Sequence, residues 1–228
     1  MRDFLIKGAE ELGIALDKTA VDRLFMYKDF LVEYNEKVSL TSIVDDEGII
    51  VKHFLDSLTL LPELEINAGT RLIDIGTGAG FPGVVLKIAN GDLDLVLMDS
   101  LNKRIKFLEQ LVDMLGLAGV RCIHGRAEEM LHRPEYREKF DYATARAVTG
   151  LSKLSGYCLP YVKVGGMFVA MKGPNYHEEM DEARDTIKRL GGEVLEAKEI
   201  KLPKSDTTIT RCLIKVRKIV ANPKKKSR

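Results

Sequence analysis

Apolar positions along the chain fall first into helical stripes and then, from Arg71 onward, into short runs that alternate with amphipathic stretches. The spacing predicts helices over 3–14 and 19–36, the second with Val21, Leu24, Phe25, Phe30 and Leu31 on one stripe, and a third over 46–62 closed by Pro62. Beyond it, Arg71–Ile75, Asp94–Met98, Val120–Ile123, Phe140–Thr144 and Gly166–Met171 read as strands, separated by helices near 82–90, 102–116, 149–159 and 175–190. Strands over 193–201 and 209–217 follow. The short polar stretch between them, with Pro203, Ser205 and Asp206, leaves no room for a crossover, so this last pair runs antiparallel. The expected fold is α/β and Rossmann-like: a mostly parallel seven-stranded sheet ending in an antiparallel hairpin, with an N-terminal helical cap. The expected division is a helical extension over 1–65, a core domain over 66–218 and a basic tail over 219–228.

At 228 residues the chain suits one full-sized core with an added element, and not two equal domains. Hydrophobic residues at 45% and charged residues at 30% fit a soluble globular protein, and no apolar run approaches the ~18 residues of a membrane span. The opening Met1-Arg2-Asp3-Phe4 stretch carries charges where a signal peptide needs an unbroken apolar core, so a cytoplasmic setting without membrane contact is expected. Cys122, Cys158 and Cys212 are odd in number and lie in apolar segments, which reads as buried free thiols and not as a disulfide or metal site.

The net charge of +1 hides an uneven distribution. Residues 1–70 hold 7 Lys/Arg against 14 Asp/Glu, whereas residues 207–228 hold 8 against none. Lys224, Lys225 and Lys226 head the final basic run, which is either a phosphate contact or a solvated tail that aids solubility.

The richest chemistry lies in Arg71-Leu-Ile-Asp74-Ile-Gly76-Thr-Gly78-Ala-Gly80-Phe81-Pro82-Gly83, a strand running into a glycine turn and then a helix. Glycines there admit positive φ and let a ligand approach the backbone. Gly78, Gly80 and Gly83 also satisfy the dinucleotide pattern, but Asp74 just before the glycines would repel a pyrophosphate. An acidic residue ahead of the loop suits S-adenosylmethionine, which carries an ammonium and a sulfonium and no phosphate. A mostly parallel sheet closed by an antiparallel hairpin is likewise the layout of Rossmann-like methyltransferases. Asp99 ends the second strand at a spacing that fits a ribose acceptor, although it could also cap the next helix. Glu128, after the third strand, faces an adenine or merely complements a helix dipole; Arg146 ends the fourth strand at the same rim.

Further motifs carry a family resemblance: Leu40-Thr41-Ser42-Ile43, the run Val51-Lys52-His53-Phe54-Leu55-Asp56-Ser57-Leu58, the glycine loop with Phe81-Pro82-Gly83, then Asp99-Ser100-Leu101, Lys103-Arg104 and Phe107-Leu108, and finally Arg146-Ala147 and Met171-Lys172-Gly173. Over most of its length the chain resembles the RsmG family, also called GidB, the 16S rRNA guanine-N7 methyltransferases. The resemblance implies S-adenosyl-L-methionine as cofactor, with S-adenosyl-L-homocysteine as product. It places cofactor contacts on Gly76 and Phe81, the Asp99 region, Ala127 and Glu128, and Arg146. Gly78 and Gly80 complete the loop. It also implies 16S rRNA or the small ribosomal subunit as partner, and favours RNA contact by the basic tail. Many members carry a longer C-terminal segment than the Ile219-to-Lys226 stretch found here.

Two acceptor chemistries lack their usual motifs. None of the cysteines has the Pro-Cys or Thr-Cys setting of ring-carbon methylation, and no Pro-Pro of the exocyclic-amine motif occurs. Guanine N7 already presents a lone pair, so no catalytic side chain and no metal are expected, and positioning carries the reaction. Lys52, His53, Lys172 and Arg146 are candidates to hold the base or its phosphates. His53 reads alternatively as a packed histidine and Lys172 as a solvated lysine. The competing functions are a methyltransferase acting on a small molecule or protein, a non-catalytic RNA-binding protein, and a nicotinamide oxidoreductase. A monomer is the default.

Overall fold

The computed structural model describes residues 1–203 and 210–222, so the Ser205-Asp206 stretch and Lys224, Lys225 and Lys226 lie outside the described residues. One sheet holds β1 (Arg71–Ile75), β2 (Asp94–Asp99), β3 (Val120–His124), β4 (Phe140–Arg146), β5 (Val162–Lys172), β6 (Gly192–Lys201) and β7 (Thr210–Lys218) in the order β3-β2-β1-β4-β5-β7-β6. The first five strands pair parallel, and β7 lies antiparallel between β5 and β6. Strand order reverses between β1 and β4, so a crevice opens beyond the carboxyl ends of these two strands.

The cap begins with α1 (Arg2–Glu11) and α2 (Lys18–Asn35), the latter started by Asp17, whose carboxylate accepts from Ala20 N at 2.6 Å. The expected helix over 46–62 is broken. A short α3 (Asp46–Ile49) runs into a π-helical turn, Ile50–Leu55, then α4 (Asp56–Leu58) and a 3-10 turn at Leu61–Glu63. A regular helix buries one stripe, whereas every residue from Ile49 to Leu60 except Lys52 is buried. The wider turn meets that demand and carries His53 and Asp56 to the sheet.

The alternating strand residues divide the core between two faces. Leu72, Leu95 and Leu97 pack with α5 (Gly83–Ala89), α6 (Asn102–Met114) and cap residues Leu24, Tyr27 and Phe54. Ile73, Val96 and Met98 pack with α7 (Ala127–Met130), α8 (Leu151–Cys158) and α9 (Tyr176–Arg189). Burial on both faces explains why these strands read as unbroken apolar runs. The one-turn α7 is too short to leave a periodicity, and it puts Glu128 in its first turn, the helix-dipole position the sequence left open. β5 starts at Val162 and not at Gly166, because a register shift between Phe140 and Tyr142 lets Val162 pair early.

Two carboxylates tie the cap to the sheet. Asp56, only 1% exposed, takes Arg146 Nη1 from β4 on Oδ2 and Arg211 Nε from β7 on Oδ1, both at 2.7 Å. Glu63 similarly receives Lys198 of β6 at 2.6 Å and Lys215 of β7 at 2.5 Å. Removing one member of a buried ionic group strands the others without compensation. Asp56→Ala is therefore expected to lower unfolding free energy by about 3–5 kcal/mol, read as a shift in the midpoint of urea denaturation.

Candidate active site

The glycine loop is supported from beneath by Asp74. Its Oδ2 accepts from Thr77 Oγ1 at 2.7 Å and from Gly83 N at 2.9 Å, while Oδ1 has no partner among the described residues. A Cβ on Gly83 would sit 2.9 Å from Asp74 Oδ2, so only glycine lets the start of α5 approach this closely. Burial pushes the Asp74 carboxyl up to about 6, against the lowering pull of its two donors. The cap holds the loop from above. Tyr27 donates its hydroxyl to Ala79 O, and its ring stacks on Phe81 at 5.2 Å.

A cavity of 260 Å³ opens beyond β1, β2 and β3, lined by Gly76, Met98, Asp99, Ala127, Glu128 and Val148 among others. Asp99 Oδ1 accepts from Leu101 N at 2.9 Å, fastening the entry to α6, and Oδ2 accepts from Gly78 N at 3.0 Å and Arg104 Nη1 at 3.2 Å. A carboxylate oxygen accepts two hydrogen bonds, so Oδ1 keeps one position for a ligand hydroxyl. Of the residues expected to meet the cofactor, Gly76, Asp99, Ala127 and Glu128 converge here. Gly78 acts through Asp99, whereas the other three turn elsewhere. Gly80 sits 2.8 Å, by its would-be Cβ, from the Tyr27 hydroxyl, Phe81 packs between rings, and Arg146 reaches Asp56.

Arg146, partly buried, and His53, buried, form one cluster. Arg146 Nη1 donates to Lys52 O at 3.1 Å as well as to Asp56, Nη2 lies 3.2 Å from His53 Nδ1, and the guanidinium stands 5.0 Å from the Phe81 centroid. His53 stacks on the same ring at 4.4 Å. His53 Nδ1 also lies 3.1 Å from Lys52 O, and Nε2 lies 2.9 Å from Thr41 Oγ1, so both ring nitrogens are engaged. Burial, then the Arg146 charge, pushes the imidazole down to about 4. Lys172 is neither solvated nor free: Nζ donates to Thr149 O at 2.9 Å and pairs with Glu179 at 2.6 Å. Lys52 is exposed. Among the described residues no grouping of His, Cys, Asp or Glu is suited to a metal, and no helix is long and apolar enough to cross a membrane. The cysteines are free, with Cys158 and Cys212 buried and Cys122 partly so.

The cavity fits S-adenosylmethionine. Met98 and Ala127 offer apolar contact to an adenine, Asp99 has a free acceptor for a ribose hydroxyl, and the Asp74 carboxyl with its unpartnered oxygen lies under the loop where a cationic ligand is favoured. Sheet order, hairpin, glycine loop and acidic strand end together define a class I S-adenosylmethionine-dependent methyltransferase. The fold is shared with solved structures of proteins that bind or depend on S-adenosylmethionine. M. jannaschii TYW2 in complex with AdoMet aligns with a TM-score of 0.58 at 13% identity, covering 78% of this chain and 80% of that one. A SAM-dependent O-methyltransferase from Thermotoga maritima aligns at 0.55 and 18% identity, covering 85% and 73%. The GidB sequence family, described as rRNA small subunit methyltransferase G, matches residues 21–210. Proteins named Ribosomal RNA small subunit methyltransferase G are 49% identical in Alkaliphilus metalliredigens, over 96% of this chain and 90% of that protein, and 46% identical in Acetivibrio thermocellus, over 99% and 91%. The chain belongs to this family of methyltransferases, and S-adenosylmethionine is its cofactor.

Two outcomes follow from this geometry. Asp99→Asn exchanges a charged acceptor for a neutral one and is expected to raise the Kd for S-adenosylhomocysteine roughly ten- to a hundredfold, measured by calorimetry. Below pH 6.5 the unfolded chain protonates His53 while the folded chain resists until about 4, so this group makes stability fall as pH falls across that window. Asp74 works in the opposite sense, because a carboxyl raised from 3.8 to about 6 costs stability as pH rises. The stability difference between the parent and His53→Gln isolates the histidine. It should grow by about 3 kcal/mol between pH 4 and pH 6.5 in equilibrium urea melts.

Proposed function

We propose that the protein transfers the methyl group of S-adenosylmethionine to N7 of one guanine in 16S rRNA, offered as rRNA or within the small ribosomal subunit in the cytoplasm. The family match over residues 21–210, with the cavity at the strand-order reversal, carries this reading. When bound, the cofactor supplies an electrophilic methyl on a sulfonium. Guanine N7 would receive that methyl through its in-plane lone pair, with Gly76, Asp99, Ala127 and Glu128 holding the nucleoside part of the cofactor. No proton moves, so the chain's task is alignment.

The buried titratable groups nearest the loop are already committed to support. Asp74 holds Thr77 and Gly83, Asp99 holds Gly78, Leu101 and Arg104, and neutral His53 holds Thr41 and Arg146. None has to act as a base for this acceptor. Phosphate contacts fall to exposed cations. Arg126 lines the cavity, Lys52 is exposed on the cap, and Glu128 links the cavity to a wider groove that passes Lys139 and Arg189 and ends at Asn222. The sequence continues from there into Lys224, Lys225 and Lys226.

The test is transfer of labelled methyl to 16S rRNA and to small subunits from cells lacking the gene, with the nucleoside identified by mass. A single site of 7-methylguanosine is expected; cofactor binding without labelling of either RNA would refute the substrate. A chain ending at Asn222 should show a higher KM for rRNA and a shallower salt dependence of binding, with unchanged affinity for S-adenosylhomocysteine. An Asp or Glu substitution that abolishes transfer at unchanged cofactor and RNA affinity would contradict the absence of a general base.

A further inference from the structure

The turn after β4, residues 147–150, is strained and clamped at both ends. Ala147 adopts φ +54°, a left-handed conformation that a residue with a Cβ keeps only when its surroundings impose it. On its leading side, the Arg146 guanidinium is locked onto Asp56. On its trailing side, Lys172 Nζ donates to Thr149 O at 2.9 Å and pairs with Glu179 Oε2 at 2.6 Å, and the same glutamate oxygen accepts from Leu151 N at 2.8 Å where α8 begins. The Lys172 side chain is 10% exposed, so this clamp is largely screened from water.

Between the clamps stands Val148. It lines the cofactor cavity and leans over the glycine loop closely enough that a Cβ on Gly76 would meet its Cγ2 at 2.7 Å. Yet it is 38% exposed, an apolar side chain held at the mouth of the cavity, beside the crevice where the strand order reverses. A ring nitrogen whose lone pair lies in the base plane must reach the methyl edge-on, so the enzyme has to grip the face of the ring. A clamped apolar side chain at the mouth supplies such a grip.

We infer that Val148 is the platform on which the face of the target guanine packs, and that Lys172 and Glu179 are positioning residues that hold this platform without touching RNA. The inference rests on the base-methylation reading above. It assigns to Lys172 a part different from a phosphate contact, and the two are separable by salt dependence.

The experiment compares the full-length parent with Val148→Ala, Lys172→Met, Lys172→Arg, Glu179→Gln and the Val148→Ala/Lys172→Met double variant. It reads kcat and KM for rRNA, affinity for S-adenosylhomocysteine, and the slope of RNA affinity against salt. Val148→Ala alters an exposed side chain and serves as the variant least able to disturb folding. Val148→Ala and Lys172→Met should each lower kcat/KM for rRNA about tenfold or more, Lys172→Arg should restore most of the loss, and Glu179→Gln should act in the same direction as Lys172→Met. The salt slope should stay that of the parent, and adding Lys172→Met to Val148→Ala should cost little more. A slope lower by about 0.7 in Lys172→Met would mark a phosphate contact and overturn the inference, as would full additivity of the two losses. A parent that binds the cofactor but methylates no RNA would sink the substrate reading, and this inference with it.

Discussion

The arrangement depends most on one buried carboxylate. Asp56 arrives from the N-terminal cap and meets Arg146 at the end of β4 and Arg211 in β7. A charge so deeply enclosed is tolerable only with full compensation, and two guanidiniums provide it. The three groups lie far apart in the chain, so satisfying Asp56 requires the cap, the parallel part of the sheet and the closing hairpin to come together. The π-helical turn at Ile50–Leu55 follows from the same demand, since it lets a segment enclosed on nearly every side deliver both His53 and Asp56.

From that carboxylate a chain of contacts runs to the cofactor loop. Asp56 fixes Arg146, Arg146 meets His53 and overlies Phe81, and His53 and Tyr27 both stack on Phe81. Tyr27 then holds Ala79 of the loop itself. Asp74 secures the loop from the other side, and Asp99 joins its backbone to the next strand. The loop is thus preorganised by groups already committed to support, which is what the proposed transfer to guanine N7, with no proton to move, would require.

The strands and the glycine loop were legible because their signals are local. Strands buried on both faces write themselves as continuous apolar runs, and a glycine turn between a strand and a helix is confined to a few residues. The third helix misled because His53, Asp56 and Ser57 are polar yet buried, so polarity ceased to report exposure. The directions taken by Phe81 and Arg146 were not legible, since the partners that turn them, Tyr27 and Asp56, are remote in sequence. Lys172 was left between two readings for the same reason: Glu179 and Thr149 reach it only through the packing of α9 and the β4 turn. Val148 had no signal at all, being one apolar residue in a turn.

The most direct measurement of the central claim is a crystal structure with S-adenosylhomocysteine bound. The nucleoside should lie in the cavity beyond β1 and β2, with a ribose hydroxyl on Asp99 Oδ1, the adenine against Ala127, and the sulfur at the mouth between Gly76 and Val148. A ligand seated elsewhere, or an Asp99 carboxylate that leaves Gly78 N and takes no ribose hydroxyl, would contradict it.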